Sequence, residues 1–199
     1  MSISLVAGLG NPGRAYAATR HNIGWRVVEA FASRQGLSWK TQPQFEAETT
    51  RWDAAPGRTV YFVKPLTYMN ESGRAVRSLC SYYKVPSAGV IAVYDDLNLD
   101  LGRIKISVRG SAGGHNGVSS LLTHVGDDFI RYRIGIGPKQ PPEMDLKDFV
   151  LGPFTADQSQ HLSSLFESLV SGLGVLLEQG PDQAMNLLNR RAKNEPEQT

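Results

Sequence analysis

The chain has one cysteine, Cys80, so no internal disulfide can staple it, and that usage fits a reducing compartment. It has no long apolar run. Ile3–Ala7 is too short to cross a bilayer, and no basic segment followed by an apolar one reads as a leader, so the expected location is cytoplasmic. Charge of one sign is also missing. Lys and Arg total 21 against 19 Asp and Glu, a net charge of +2, which excludes a strongly basic coat but leaves room for local patches. The four histidines show no His-x-x-x-His spacing, and no cysteine pair exists, so no metal is expected. Asp95, Asp96 and Asp100 read as a turn or solvated edge rather than as ligands. No glycine run leads into Gly-Lys-Ser/Thr, which removes the Walker loop.

What is present suits one α/β domain over residues 1–192 with a polar tail at 193–199. At 199 residues the chain can bury a core without staples. Ile3 to Leu9 reads as a buried strand closed by a Gly/Pro turn. Asn22 is placed to cap a helix to about Gln35, with Ile23, Val27, Val28, Phe31 and Ala32 on one face. Strands are expected at Phe45–Arg51 and Arg58–Lys64 around the Ala55-Pro56-Gly57 turn. Asn70 then opens a helix whose stripe is Ala75, Val76, Leu79, Cys80 and Tyr83.

Val90 to Tyr94 is a short strand delivering Asp95 and Asp96 at its end. Gly102–Arg109 is a basic strand, Val118–Val125 a helix, and Ile130–Ile136 another strand. Pro138 to Met144 is a proline-rich loop. Two helices, Ala156–Leu177 and Pro181–Arg191, close the chain. The alternation predicts a three-layer fold with a mixed, mostly parallel sheet flanked by helices.

Three polar strings stand at the ends of these apolar segments: Gly8-Leu-Gly-Asn-Pro-Gly13 running on to Thr19-Arg-His-Asn-Ile-Gly24, Lys64-Pro-Leu-Thr-Tyr-Met-Asn70, and Gly113-Gly-His-Asn-Gly117. Polar groups at strand ends are where α/β proteins assemble sites. The first string matches the Gly-x-Gly-x-x-Gly dinucleotide fingerprint by letter. Its context does not. Pro12-Gly13 turns the chain, Arg14–His21 carries no helical stripe, and no acidic residue ends a second strand about 20 residues on.

His21 lies in the polar loop between strand and helix. It reads either as a helix-entry histidine satisfied by local backbone or, with Asp95 bonded to one ring nitrogen, as a base that activates water. Cys80 falls on a helix stripe and no serine stands in a nucleophile setting, so direct attack by water is preferred. Asn11, Asn70 and Asn116 read either as helix caps or as amides that hold a peptide-like substrate and a developing oxyanion. Arg103, Lys105 and Arg109 form one basic cluster and Arg131 with Arg133 another. Spacing by two puts each set on one strand face, solvated or phosphate-binding.

Taken together and in order, these strings resemble the bacterial-type peptidyl-tRNA hydrolases over essentially the whole chain. Tyr16, Asp95-Asp-Leu97, Gly110-Ser-Ala112, Arg131-Tyr-Arg-Ile-Gly-Ile-Gly137 and Phe149-Val-Leu-Gly152 add to the match. The resemblance implies a monomeric carboxylic ester hydrolase that needs no metal or cofactor. It would cleave the ester joining a peptide to the 3′ ribose of tRNA, recycling tRNA from stalled translation. By position, His21 is the general base and Asp95 its orienting partner. Asn11 separates N-blocked peptidyl esters from free aminoacyl ones. Tyr16, Tyr68, Asn70 and Asn116 line the substrate and tRNA end, and Met69 walls the peptide cleft. The tRNA 5′-phosphate clamp pairs Arg133 with a lysine whose place is taken here by Ser107, so Lys105 or Arg109 supplies the second charge.

Two other readings carry their own signatures. A binding module without activity would keep the cleft and lose the base, whereas His21 and Asp95 are both present. A general small-ester hydrolase would not need the two basic strand faces.

Overall fold

The computed structural model describes residues 3–190. The strands are β1 (Leu5–Gly8), β2 (Lys40–Gln42), β3 (Ala47–Ala55), β4 (Arg58–Pro65), β5 (Val90–Asp100), β6 (Ile104–Val108) and β7 (Ile130–Gly137). The helices are α1 (Ile23–Arg34), α2 (Ser72–Tyr83), α3 (Asn116–His124), α4 (Leu146–Leu151) and α5 (Ala156–Leu188). One seven-stranded sheet runs in the order β2-β3-β4-β1-β5-β7-β6. It is mixed, as expected, but the parallel weighting holds only at its centre. β4-β1-β5-β7 pair in parallel, whereas β2-β3, β3-β4 and β7-β6 are antiparallel, three pairings of each kind.

The sheet separates two apolar cores. On one side Val27, Val28 and Phe31 of α1 and Leu169, Leu173 and Leu176 of α5 pack against Val6, Phe62, Ile91, Val93, Tyr132 and Ile134. On the other, Val76 and Leu79 of α2 and Val118 and Leu121 of α3 meet Leu5, Ala7, Val63, Val90 and Ala92. The apolar cluster on the α2/α3 side contains no residue of β6 or β7. There Lys105 stands opposite Arg133 and Ser107 opposite Arg131, and the cleft is lined by Ser107, Arg131 and Arg133 but not by Lys105.

Several boundaries differ from those read in the sequence. β2 and α4 were not expected. β2 has three residues and α4 six, too short for either period to show. β5 continues through Asp95 and Asp96 to Asp100, because β7 supplies a partner for the polar half of the strand as well. α3 begins at Asn116 rather than Val118, and its cap is His115. Neither Asn22 nor Asn70 caps a helix through its side chain. The last two expected helices are one assigned segment interrupted at Gly180 (φ 80°, ψ 172°), just before Pro181. Past that break, Asn189 donates to the Ile106 carbonyl and accepts from the Ile106 N–H. It stands where an eighth strand would pair with edge strand β6. The tail at 193–199 lies outside the described residues.

Candidate active site

β5 outruns β1, and that offset makes the site. β1 pairs with β5 only as far as Gly8 opposite Val93, so beyond this point β5 has a strand neighbour on one side alone. The chain leaves β1 toward β4 and later returns past it to β5, a switch in strand order of the kind where α/β sheets open crevices. Asp95 stands in this gap. α1 seats itself against the gap through Gly24. A Cβ there would run into the carbonyl of Val93 and the backbone of Leu9, so only glycine lets the first turn of α1 approach so closely. The 3-10 turn Arg20–Asn22 thereby carries His21 to Asp95.

His21 Nδ1 lies 2.9 Å from Asp95 Oδ1 and 3.0 Å from Oδ2. An ionised carboxylate can only accept, so Nδ1 carries the proton and Nε2 presents a lone pair. No described residue bonds that nitrogen, and His21 lines the cleft. His115 Nε2 approaches Asp95 Oδ1 at 3.1 Å, with its ring centre 4.7 Å from that of His21. Asp95 is 3% exposed. Burial alone would push its carboxyl up, but His21 and His115 outweigh that and hold it well below the ordinary carboxylate range. The carboxylate is thus charged throughout the neutral range.

By residue type, His21, Asp95 and His115 are a cluster that could ligate a metal. Their proton arrangement argues for hydrogen bonding instead. His115 Nδ1 accepts the N–H groups of Gly117 and Val118 at 3.1 and 3.2 Å, so in the neutral ring the proton is on Nε2, which then has no lone pair to give a cation.

Asn11 and Asn22 form a reciprocal pair. Asn22 Oδ1 accepts the Asn11 N–H and Asn22 Nδ2 donates to the Asn11 carbonyl, both at 2.9 Å. That commitment is why Asn22 is not a cap. Asn11 Oδ1 accepts the Met69 N–H at 2.7 Å, which leaves Nδ2 without a partner among the described residues. Asn70 and Asn116 are exposed with no side-chain bonds among the described residues. With Asn11 they line one cleft of about 1190 Å³, together with Tyr16, Tyr68 and Met69. Tyr16 and Tyr68 meet edge to face at 6.4 Å, and Tyr68 is largely exposed at the rim.

The basic residues divide. Lys105 pairs directly with Arg133 across β6–β7, which puts both side chains on one face. Arg133 lines the cleft with its guanidinium 3.2 Å from Asp96 and its Nε buried without a partner. Arg109 also borders the cleft, but it lies past the end of β6 at φ 63° and is held by Asp128 at 2.7–2.8 Å. It therefore does not continue the Lys105 face, as spacing alone suggested. Arg131 is neither a solvated nor an open phosphate-binding residue. It is buried, stacked 4.5 Å from the Phe129 ring centre, and bonded to the carbonyls of Gly110 and Ser111.

Sequence reasoning passed over His115 as a partner of Asp95, the Arg133–Asp96 pair, and α4. Leu146, Lys147, Val150 and Leu151 of α4 form a wall of the cleft. Arg20, the neighbour of His21, anchors that wall. It donates to the Phe149 carbonyl at 3.0 Å and to Gln158 at 2.9 Å, with its guanidinium over the Phe149 and Phe154 rings. The available signal for it was only that an arginine stands next to the site histidine.

A family model described as peptidyl-tRNA hydrolase matches residues 5–197. The peptidyl-tRNA hydrolase of Gloeobacter violaceus is 39% identical over 197 residues, covering 98% of both chains. That of Chloroflexus aurantiacus is 44% identical over 188 residues, 93% of this chain and 98% of the relative. The crystal structure of the Acinetobacter baumannii peptidyl-tRNA hydrolase superimposes with a TM-score of 0.86 at 35% identity, covering 94% of each chain.

Proposed function

The chain belongs to the peptidyl-tRNA hydrolase family, and from that premise we propose how its cleft cleaves the ester between a peptide and the 3′ ribose of tRNA. His21 Nε2 takes a proton from water, and the resulting hydroxide oxygen bonds to the ester carbonyl carbon. As the carbon–oxygen bond to the ribose breaks, the imidazolium returns the proton to the ribose oxygen. Peptide carboxylate and tRNA leave. Asp95 orients the ring and stabilises the imidazolium. The observation that carries this reading is the His21 Nδ1–Asp95 pair, which leaves Nε2 available in the cleft.

Asn11 offers Nδ2–H to the substrate because its oxygen is held by the Met69 N–H. Asn70 and Asn116 add amides for the peptide and the developing oxyanion. Tyr16, Tyr68 and Met69 receive the apolar parts of the substrate. Lys105 with Arg133 grips the terminal phosphate of the tRNA. Their cross-strand pairing supports Lys105 over Arg109, whose charge is engaged by Asp128. The reading takes the enzyme to be a monomer, as the family resemblance implies. A translation substrate supports a cytoplasmic location, and among the described residues no helix is long and apolar enough to cross a membrane.

The test is release of N-acetylaminoacyl groups from tRNA by the purified protein, with unblocked aminoacyl-tRNA and a free aminoacyl ester beside it. Cleavage of the blocked tRNA ester alone is expected. A folded protein that binds tRNA and cleaves nothing would be a binding module, and one equally active on the free ester would be a general esterase.

A further inference from the structure

We infer that His115 is a positioning residue for this hydrolysis, an imidazole whose Nε2 holds the Asp95 carboxylate in line with His21. The inference rests on the proposed role of His21 as base.

Asp95 lies in the stretch of β5 beyond the end of β1, and its carboxylate bonds no backbone N–H among the described residues. A buried carboxylate needs donors for both oxygens. His21 brings a single N–H, shared between Oδ1 and Oδ2 at nearly equal distances. With that proton alone, rotation of the carboxylate would carry the imidazole with it or break the bond. The second donor is His115 Nε2, 3.1 Å from Oδ1. Its ring is fixed at the other end as well, because Nδ1 accepts from both Gly117 and Val118 at the start of α3. α3 can begin that close because residue 117 is glycine. A Cβ there would lie 2.5 Å from Met69 Sδ and 3.2 Å from His115 Cε1. The rigid start of a helix therefore sets the carboxylate, and the carboxylate sets the base.

The arrangement also acts through charge. A second N–H on Oδ1 draws off part of the negative charge that would otherwise stabilise the His21 imidazolium, which makes return of the proton to the leaving oxygen easier. The other titratable or charged groups around the pair are Tyr94 and Asp96 on β5, Arg131 and Arg133 on β7, and Arg20 beside His21. Asp96 is engaged by Arg133, Arg131 by the Gly110–Ser111 carbonyls, and Arg20 by Phe149 and Gln158. Tyr94 meets His115 edge-on at 4.9 Å without a hydrogen bond to it. None of the five hydrogen-bonds either imidazole.

Two substitutions separate the two ends of the ring. In His115→Asn the amide stands where Nδ1 does, so the helix cap survives and the donor to Asp95 is lost. In His115→Gln the amide reaches the position of Nε2, so the donor survives and the cap is lost. The measurement is kcat and KM for N-acetylaminoacyl-tRNA against pH, with urea unfolding of each variant. For His115→Asn, kcat should fall about 10- to 100-fold, the cost of slightly misplacing a catalytic group, with KM unchanged. Its acid limb should move to higher pH while its unfolding midpoint stays near wild type. His115→Gln should recover kcat relative to the asparagine variant. A wild-type kcat with an unmoved acid limb in His115→Asn overturns the inference. So does a change in KM alone, or a folded glutamine variant no faster than the asparagine one. A wild-type protein that binds tRNA without cleaving it overturns the proposed function and this inference together, whereas an active wild type with a silent His115→Asn overturns only the latter.

Discussion

The side-chain oxygen of Asn11 accepts a 2.7 Å hydrogen bond from the backbone N–H of Met69, joining segments 58 residues apart. The bond decides which end of the amide faces the cleft. An aspartate at this position would keep the acceptor for Met69 and present a second oxygen where the substrate now meets an N–H. Asn11→Asp should leave the thermal midpoint close to wild type and lower kcat by about 10²–10³, the cost of one lost oxyanion donor. Thermal unfolding and single-turnover hydrolysis check the two halves separately. An active Asn11→Asp enzyme would remove Nδ2 from the account.

Asp95 has its carboxyl held below the ordinary range in the native state, whereas an unfolded aspartate titrates near about 3.9. Between these values the unfolded chain binds more protons, so stability falls as pH falls. Above the ordinary carboxylate range the full contribution is present, and it is lost as pH drops through the lowered native value. Urea midpoints measured from pH 6 downward should therefore decline more steeply for the wild type than for Asp95→Asn. Parallel curves would contradict the hydrogen-bonding assigned to Asp95.

Lys105 and Arg133 lie opposite each other across β6–β7, while Arg109 is spent on Asp128. Each phosphate contact contributes roughly one unit to the dependence of log affinity on log salt. Lys105→Ala and Arg133→Ala should each lower that slope by about one unit for tRNA bearing a 5′-phosphate. Arg109→Ala should change it less. Equal effects from all three would show that Arg109 leaves Asp128 to meet the tRNA.

Cys80 is buried on α2, and burial pushes its thiol up to about 11. At neutral pH it is a protonated thiol without access to solvent, and its place on the α2 stripe keeps it out of the chemistry. A thiol reagent should leave activity intact and react with one equivalent per chain only after denaturation. Rapid reaction of the native protein, with loss of turnover, would show α2 to be less well packed than the structure has it.

The features legible in the sequence were those that depend on local pattern. The apolar strand before Gly8, the stripe from Ile23 to Ala32 and the turn at Pro56-Gly57 follow from periodicity and turn chemistry, and each appears within a few residues of its expected place. Asp95 could be paired with His21 because it follows a core strand that was expected to lie beside the first. His115 as the other partner of Asp95 was not legible. Which histidine meets a carboxylate 20 residues away depends on where α3 starts, and Gly117 permits that start because a Cβ there would press on Met69 Sδ. The capping alternative failed for two asparagines. Asn22 and Asn70 stand at helix entries and carry the residue type of a cap, yet Asn22 is bonded to Asn11 and Asn70 faces the cleft. Capping preference is a local tendency of about 1 kcal/mol, and tertiary hydrogen bonds override it. The basic residues show the same limit. Spacing by two gave Lys105 its face correctly, but Arg109 leaves the strand at a positive φ, and no alternation rule applies past that point.

The central claim is that His21 is the base, and it is tested most directly by single-turnover hydrolysis of N-acetylaminoacyl-tRNA by His21→Ala. The variant's fold is confirmed by its circular dichroism, and its tRNA affinity is measured alongside. Loss of general-base catalysis is worth about 10²–10⁴ in rate, so the account predicts a fall of that size with tRNA binding kept. A folded His21→Ala protein that cleaves at the wild-type rate would contradict it.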